Sequence, residues 1–203
     1  MKQEEKISAI LFDVGRVLID FSYAEFFSWL SAHGAQLKGV EDFVNKTDLH
    51  AYEKGHIDDD TFLANLNQLL TRPVNKHGLI ERWLDLFLPI DDMLQLAKQL
   101  MPQYRVYLLS NTSALHWQHI VPRFRLDEYS HGLLASYEVG VMKPDAAIFR
   151  AAEQQFKLSP ATTVFIDDIA DNALGAEQCG WRGIHHINSL ETRRKLAQLG
   201  VIL

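Results

Sequence analysis

Short apolar runs that stop on polar residues alternate along this chain with stretches whose apolar positions recur at helical spacing. Ile10, Leu11 and Phe12 form the first run, and Asp13 and Gly15 end it. Near-continuous hydrophobicity closed by a turn residue predicts a parallel strand buried on both faces. The pattern returns at Val106, Tyr107, Leu108 and Leu109 before Ser110, at Leu133, Leu134 and Ala135, at Val164, Phe165 and Ile166 before Asp167, and at 183–187. Helical spacing predicts a helix over 23–33 with Gly34 as its stop, and others over 61–70, 79–88, 93–101 and 190–199. A further helix runs to about Phe156, with Pro144 at an early helical position.

From Gly39 to Pro89 only helical patterns occur, with no strand among them. An insertion of that length between parallel strands is too long for a simple crossover and must form its own bundle. After Pro102 strands and helices alternate, which predicts an α/β fold, a Rossmann-like parallel sheet with helices on both faces. The expected organisation is a core of 1–21 and 91–203 carrying an all-helical cap of 22–90. Phe43, Phe62, Trp83 and Phe87 are assigned to packing between cap helices. Tyr52, Glu53 and Gly55 fall in a loop-like segment, 52–58, that either faces a substrate or is a solvated helix end.

Composition narrows the partners. The 203 residues are 47% apolar and 23% charged, as in an ordinary globular protein. A net charge of -6 without a Lys/Arg run argues against nucleic acid and against an anionic membrane surface. A small-molecule partner is expected, and oligomeric state is left open. Cys179 is the one cysteine, which excludes an intramolecular disulfide and a cysteine-based zinc site. The opening MKQEEK leads into too short an apolar run for a signal peptide or a span, so the expected location is the cytoplasm.

Ligands of open α/β sheets bind at the carboxyl ends of the strands. Asp13, Ser110, Lys143 and the pair Asp167 and Asp168 each follow an apolar strand or its loop, so the topology gathers them. Taken singly, Asp13 could cap a loop, Ser110 with Asn111 and Thr112 could cap a helix, and Lys143 could be a surface lysine. Adjacent acids at a strand end are costly unless a cation offsets their repulsion. Together the residues offer a carboxylate nucleophile, hydroxyl and backbone donors, a cation, and an acidic pair suited to a hard ion such as Mg²⁺. His116 and His119 stand near helical spacing but lack a third nitrogen or sulfur ligand, and are read as surface or lining residues.

FDVG at 12–15, SNT at 110–112, KPD at 143–145 and FIDD at 165–168 occur in that order. With these motifs the chain resembles a haloacid dehalogenase (HAD) superfamily hydrolase with a C1 cap, and LLSNTSALH, YEVGVMKPD and FIDDIADN look most like its alpha-D-glucose-1-phosphate phosphatase branch. The resemblance implies a Mg²⁺-dependent phosphatase acting on a small phosphorylated metabolite such as a sugar 1-phosphate. Asp13 would be the nucleophile, forming an aspartyl-phosphate. Ser110 and the backbone of Asn111 would bind phosphate, and Lys143 would stabilise the nucleophile and the transferring group. Asp13, the carbonyl of Gly15 and Asp168 would hold the metal, with Asp167 in the outer shell. Gly15 departs from the pattern, because most phosphatases of the superfamily have there a second aspartate that protonates the leaving alcohol. That gap favours substrates with acidic leaving oxygens. It also suits two rival readings, a metal-independent 2-haloacid dehalogenase and a non-catalytic member that binds a phosphometabolite or a protein. Arg16, beside the gap, either touches substrate or faces solvent.

Overall fold

The computed structural model describes residues 6–203. The leader sought in MKQEEK falls mainly on 1–5, outside the described residues. Five parallel strands form the main sheet in the order β5-β4-β1-β6-β7. They are β1 (Ala9–Phe12), β4 (Arg105–Ser110), β5 (Leu133–Ala135), β6 (Thr163–Asp167) and β7 (Arg182–His185). β1 lies at the centre, paired with β4 on one side and β6 on the other.

Successive side chains of a strand point to opposite faces, so each apolar run feeds two layers. Ile10, Phe12, Val106, Leu108, Val164 and Ile166 pack on one face against α6 (Asp91–Leu100), α7 (Ala114–Phe124) and α11 (Ser189–Gln198). Leu11, Tyr107, Leu109 and Phe165 pack on the other against α9 (Ala146–Phe156) and α10 (Ala170–Gln178). Burial on both faces is the reason these strands lack polar alternation. Every residue of β1 is fully buried.

The inserted helices are α1 (Ala24–Ala32), α2 (Val40–Thr47), α3 (Leu49–Glu53), α4 (Asp59–Gln68) and α5 (Lys76–Leu84). They build a separate apolar cluster around Trp83, Phe43, Phe62, Phe26 and Leu66. Side-chain caps fix two of the starts, with Asp58 accepting from the Thr61 N–H and Asn75 from the Gly78 N–H, both at 2.9 Å.

Three expectations need correction. The helix foreseen over 79–88 ends at Leu84, and Phe87–Pro89 is instead a strand, β3, pairing antiparallel with β2 (Ile19–Phe21). The chain must return to the core there, and the exposed edge of β2 supplies the hydrogen bonds that a helix approaching Pro89 would lose. Tyr52 and Glu53 close helix α3, so the segment foreseen as a loop begins in a helical turn. Pro144 precedes the helix it was expected to begin, since Asp145 is the cap and accepts from the Ala147 N–H at 2.8 Å. Among the described residues no helix is long and apolar enough to cross a membrane.

Trp83 is wholly buried, and its indole stacks on Tyr23 and His116 with ring centroids 6.1 and 4.4 Å apart. Trp83→Ala is expected to cost about 3–5 kcal/mol, the range for truncating a buried large aromatic. The urea midpoint measures it, and an unchanged midpoint would contradict this packing role.

Candidate functional site

The site forms where β1, β4 and β6 end. Phe12 pairs in register with Leu108 and Ile166, and the Asp13 N–H donates to the Ile166 carbonyl at 2.8 Å. Asp13 is therefore level with Asp167 on one side and Leu109 on the other. Lys143 enters between them from the loop before α9. Its ammonium donates to Asp13 Oδ1 at 2.6 Å, to Asp167 Oδ2 at 2.8 Å and to the Leu109 carbonyl at 3.0 Å. Three protons meet three acceptors, and the lysine side chain is 1% exposed.

The amide of Asn111 holds that lysine in place. Its Nδ2 donates to the Lys143 carbonyl at 2.9 Å and its Oδ1 accepts from the Lys143 N–H at 2.8 Å. Both polar atoms of the Asn111 side chain are thereby occupied. Asp167 is occupied too, since Oδ1 accepts from the Ile169 N–H at 2.8 Å and both oxygens accept from Asn172 Nδ2 at 3.0 and 3.1 Å. Neither amide clamp is visible in the sequence, because an Asn, in a loop as at 111 or in a helical turn as at 172, carries no signal of what its amide will meet.

Asp13, Asp167 and Asp168 each offer a carboxylate oxygen within 4.8 Å of one another. With Lys143 as the ammonium between them, negative charge is in excess. Burial pushes the Asp13 carboxyl up to about 7, with Lys143 drawing it down and the charges of Asp167 and Asp168 adding to the rise. Burial, then Asp167, also raises Asp168. For Lys143 burial disfavours the charge, but Asp13 and Asp167 outweigh it and hold the ammonium above the ordinary lysine range. Oxygen donors with surplus negative charge fit a hard divalent cation.

A cavity of about 60 Å³ opens beside these groups, lined by Val14, Gly15 and Ser110 to Thr112 from the core and by Tyr23 and Glu53 from the inserted helices. Pockets for drug-sized ligands run to roughly 300–1,000 Å³, so this one suits a small group. A Cβ at Gly15 would come 3.1 Å from Cε1 of Phe21, so a side chain there requires that ring to move. Arg16 does not turn into the cavity, for its guanidinium lies 4.7 Å over the Phe21 ring and 3.5 Å from Asp20.

His116 and His119 part company. His116 lines the cavity, with its Nε2 proton directed at the Trp83 carbonyl at 3.0 Å, whereas His119 meets Arg123 at 3.2 Å on the surface. Burial lowers His116 to about 4.

The central strand of a parallel α/β sheet thus ends on Asp13, which a buried lysine bridges to Asp167. The family model for haloacid dehalogenase-like hydrolases matches residues 7–180, and the chain belongs to that family. A sesquiterpene phosphatase of Aspergillus oryzae is 28% identical over 195 residues, covering 94% of this chain and 95% of that protein. A D-ribitol-5-phosphate phosphatase of Bacteroides thetaiotaomicron is 27% identical over 201 residues, covering 94% and 97%. Among solved structures, a HAD family enzyme of Bacteroides thetaiotaomicron in complex with magnesium and inorganic phosphate superposes with a TM-score of 0.77 at 27% identity, covering 87% of this chain and 92% of that one.

Lys143→Met strips the buried Asp13 and Asp167 carboxylates of their countercharge and is expected to destabilise the fold by about 3–5 kcal/mol, read as a lowered urea midpoint. His116 makes a pH-dependent contribution. Its neutral form is favoured in the fold, so its stabilisation is complete above 6.5 and is lost as pH falls toward about 4, because the unfolded chain takes up the proton first. Unfolding free energies measured across that interval should fall less steeply in His116→Asn than in the wild type.

Proposed function

We propose that the protein is a Mg²⁺-dependent phosphatase that hydrolyses a small phosphorylated metabolite through an aspartyl-phosphate on Asp13. The observation that carries the reading is the lysine-bridged carboxylate group beside a cavity headed by Ser110, Asn111 and Thr112. Asp13 attacks phosphorus, and Lys143 keeps its carboxylate oriented and offsets charge on the transferring group. Ser110 and the Asn111 N–H hold phosphate oxygens. Asp13, the Gly15 carbonyl and Asp168 would hold Mg²⁺, which when bound neutralises the charge gathered by the carboxylates and the phosphate. Asp167, both of whose oxygens are already engaged, belongs to the outer shell.

Residues 22–90 act in this reading as a C1-type cap that selects the substrate, in a cytoplasmic protein. A sugar phosphate is the substrate class, and a sugar 1-phosphate, as in the alpha-D-glucose-1-phosphate phosphatase branch, is the finer proposal. Its anomeric oxygen leaves more readily than an alkyl oxygen. The phosphatase activities named for the two relatives support the reaction class. The excess of carboxylates disfavours a metal-independent dehalogenase, for which that excess has no use.

Inorganic phosphate release across a panel of sugar phosphates, polyol phosphates and p-nitrophenyl phosphate tests the reading. Turnover is expected with Mg²⁺, loss of it in EDTA, and background rates for Asp13→Asn. Halide release from a 2-haloacid in EDTA, or full activity in Asp13→Asn, would overturn it.

A further inference from the structure

Glu53 is left over from the site described above. It is the last residue of α3 and lines the cavity together with Gly15 and Ser110. Its carboxyl group has no hydrogen-bond partner among the described residues, whereas Asp13 and Asp167 are both engaged. Its backbone is anchored. The Ser136 hydroxyl contacts the Glu53 carbonyl and accepts from the Thr112 N–H at 2.9 Å, which ties α3 to the loop that follows Ser110. Two residues on, a Cβ at Gly55, where φ is +67, would lie 2.5 Å from the Tyr137 carbonyl, so the chain can approach the core this closely only with glycine. His56 Nε2 then meets the Gly140 carbonyl at 3.1 Å. Three contacts in four residues hold Glu53 at the mouth of the catalytic edge.

We propose that Glu53 is the proton donor and acceptor of this phosphatase, supplied by the inserted helices in place of a carboxylate at position 15. The inference rests on the phosphatase reading. In the first step Asp13 Oδ bonds to phosphorus, the bond from phosphorus to the leaving oxygen breaks, and that oxygen takes the proton of Glu53. In the second, water attacks the phosphoryl group and gives a proton to Glu53, and the bond from phosphorus to Asp13 breaks to release inorganic phosphate. Glu53 ends protonated, as it began. Burial pushes its carboxyl up to about 8, against the pull of Lys143 and with the charge of Asp13 adding to the rise, while the Tyr23 hydroxyl and His116 are the other titratable groups on the cavity wall. The acid form is thus available near neutrality. A side chain at position 15 would need the Phe21 ring to give by a few tenths of an ångström.

The test compares Glu53→Gln with the wild type on an alkyl phosphate, such as ribitol 5-phosphate, and on p-nitrophenyl phosphate. For the alkyl ester kcat/KM should fall by on the order of 10²–10⁴-fold, the usual contribution of general acid catalysis. For the aryl ester kcat/KM should change little, since nitrophenolate leaves unaided, but a burst of nitrophenol equal to the enzyme present should precede slow turnover as the aspartyl-phosphate accumulates. Glu53→Ala with added formate should regain part of the lost alkyl-ester rate. Equal losses on the two esters, or none, with no burst and no rescue, would overturn the role of Glu53. Because Asp13→Asn would still silence a working wild type, that result leaves the phosphatase reading intact. A wild type inactive on both esters with Mg²⁺ would remove both.

Discussion

One ammonium between two buried carboxylates governs this edge of the sheet. Lys143 lies 2.6 Å from Asp13 and 2.8 Å from Asp167, in a place where water contributes almost nothing. Desolvating three charged groups is costly, and it is tolerable only with close geometry and every donor used. The surroundings meet that demand. Asn111 holds the lysine backbone, Asn172 holds the second carboxylate, and the register of β1 with β6 sets the two acids level. With Asp168 adjacent, the group still carries more negative than positive charge, and a divalent cation would relieve it.

The inserted helices bear on the chemistry through a few contacts near Glu53. They have their own apolar cluster and could in principle pack in many ways against the core. Ser136, Gly55 and His56 select one of them. The hydroxyl of Ser136 reaches both the α3 carbonyl and the Thr112 backbone, so the wall of the cavity that comes from the insertion and the wall that comes from the core are set by the same atom. The pair β2 and β3 forms a second link, where the chain leaves and re-enters the core, and His116 against Trp83 a third.

Family membership and local chemistry answer different questions here. The shared sheet and its carboxyl edge account for the likeness to phosphatases that act on quite different alcohols, a polyol and a sesquiterpene. In this chain position 15 is a glycine backed by the Phe21 ring, and Arg16 is drawn away over that ring.

The five strands of the main sheet, their order of polar stops and the residues Asp13, Ser110, Lys143, Asp167 and Asp168 were legible in the chain itself. Burial on both faces forces continuous apolar runs, and the polar residue that ends each run must stand at the sheet's edge. The helices Ala24–Ala32, Asp59–Gln68, Asp91–Leu100, Ala146–Phe156 and Ser189–Gln198 were legible to within a few residues for the same reason of periodicity. The strand Phe87–Pro89 was not, because its three residues fit the end of a helix equally well until β2 is beside them. The two Asn clamps were likewise hidden, and the sequence left open whether His116 lined a site and whether the segment of Glu53 faced a substrate. Asn111 meets Lys143 across 32 residues, of which local pattern holds no record, and Asn172, though near Asp167 in the chain, meets it only because the fold turns its amide back onto the strand end. Sequence therefore determined which groups could take part, and the tertiary structure decided which of them meet.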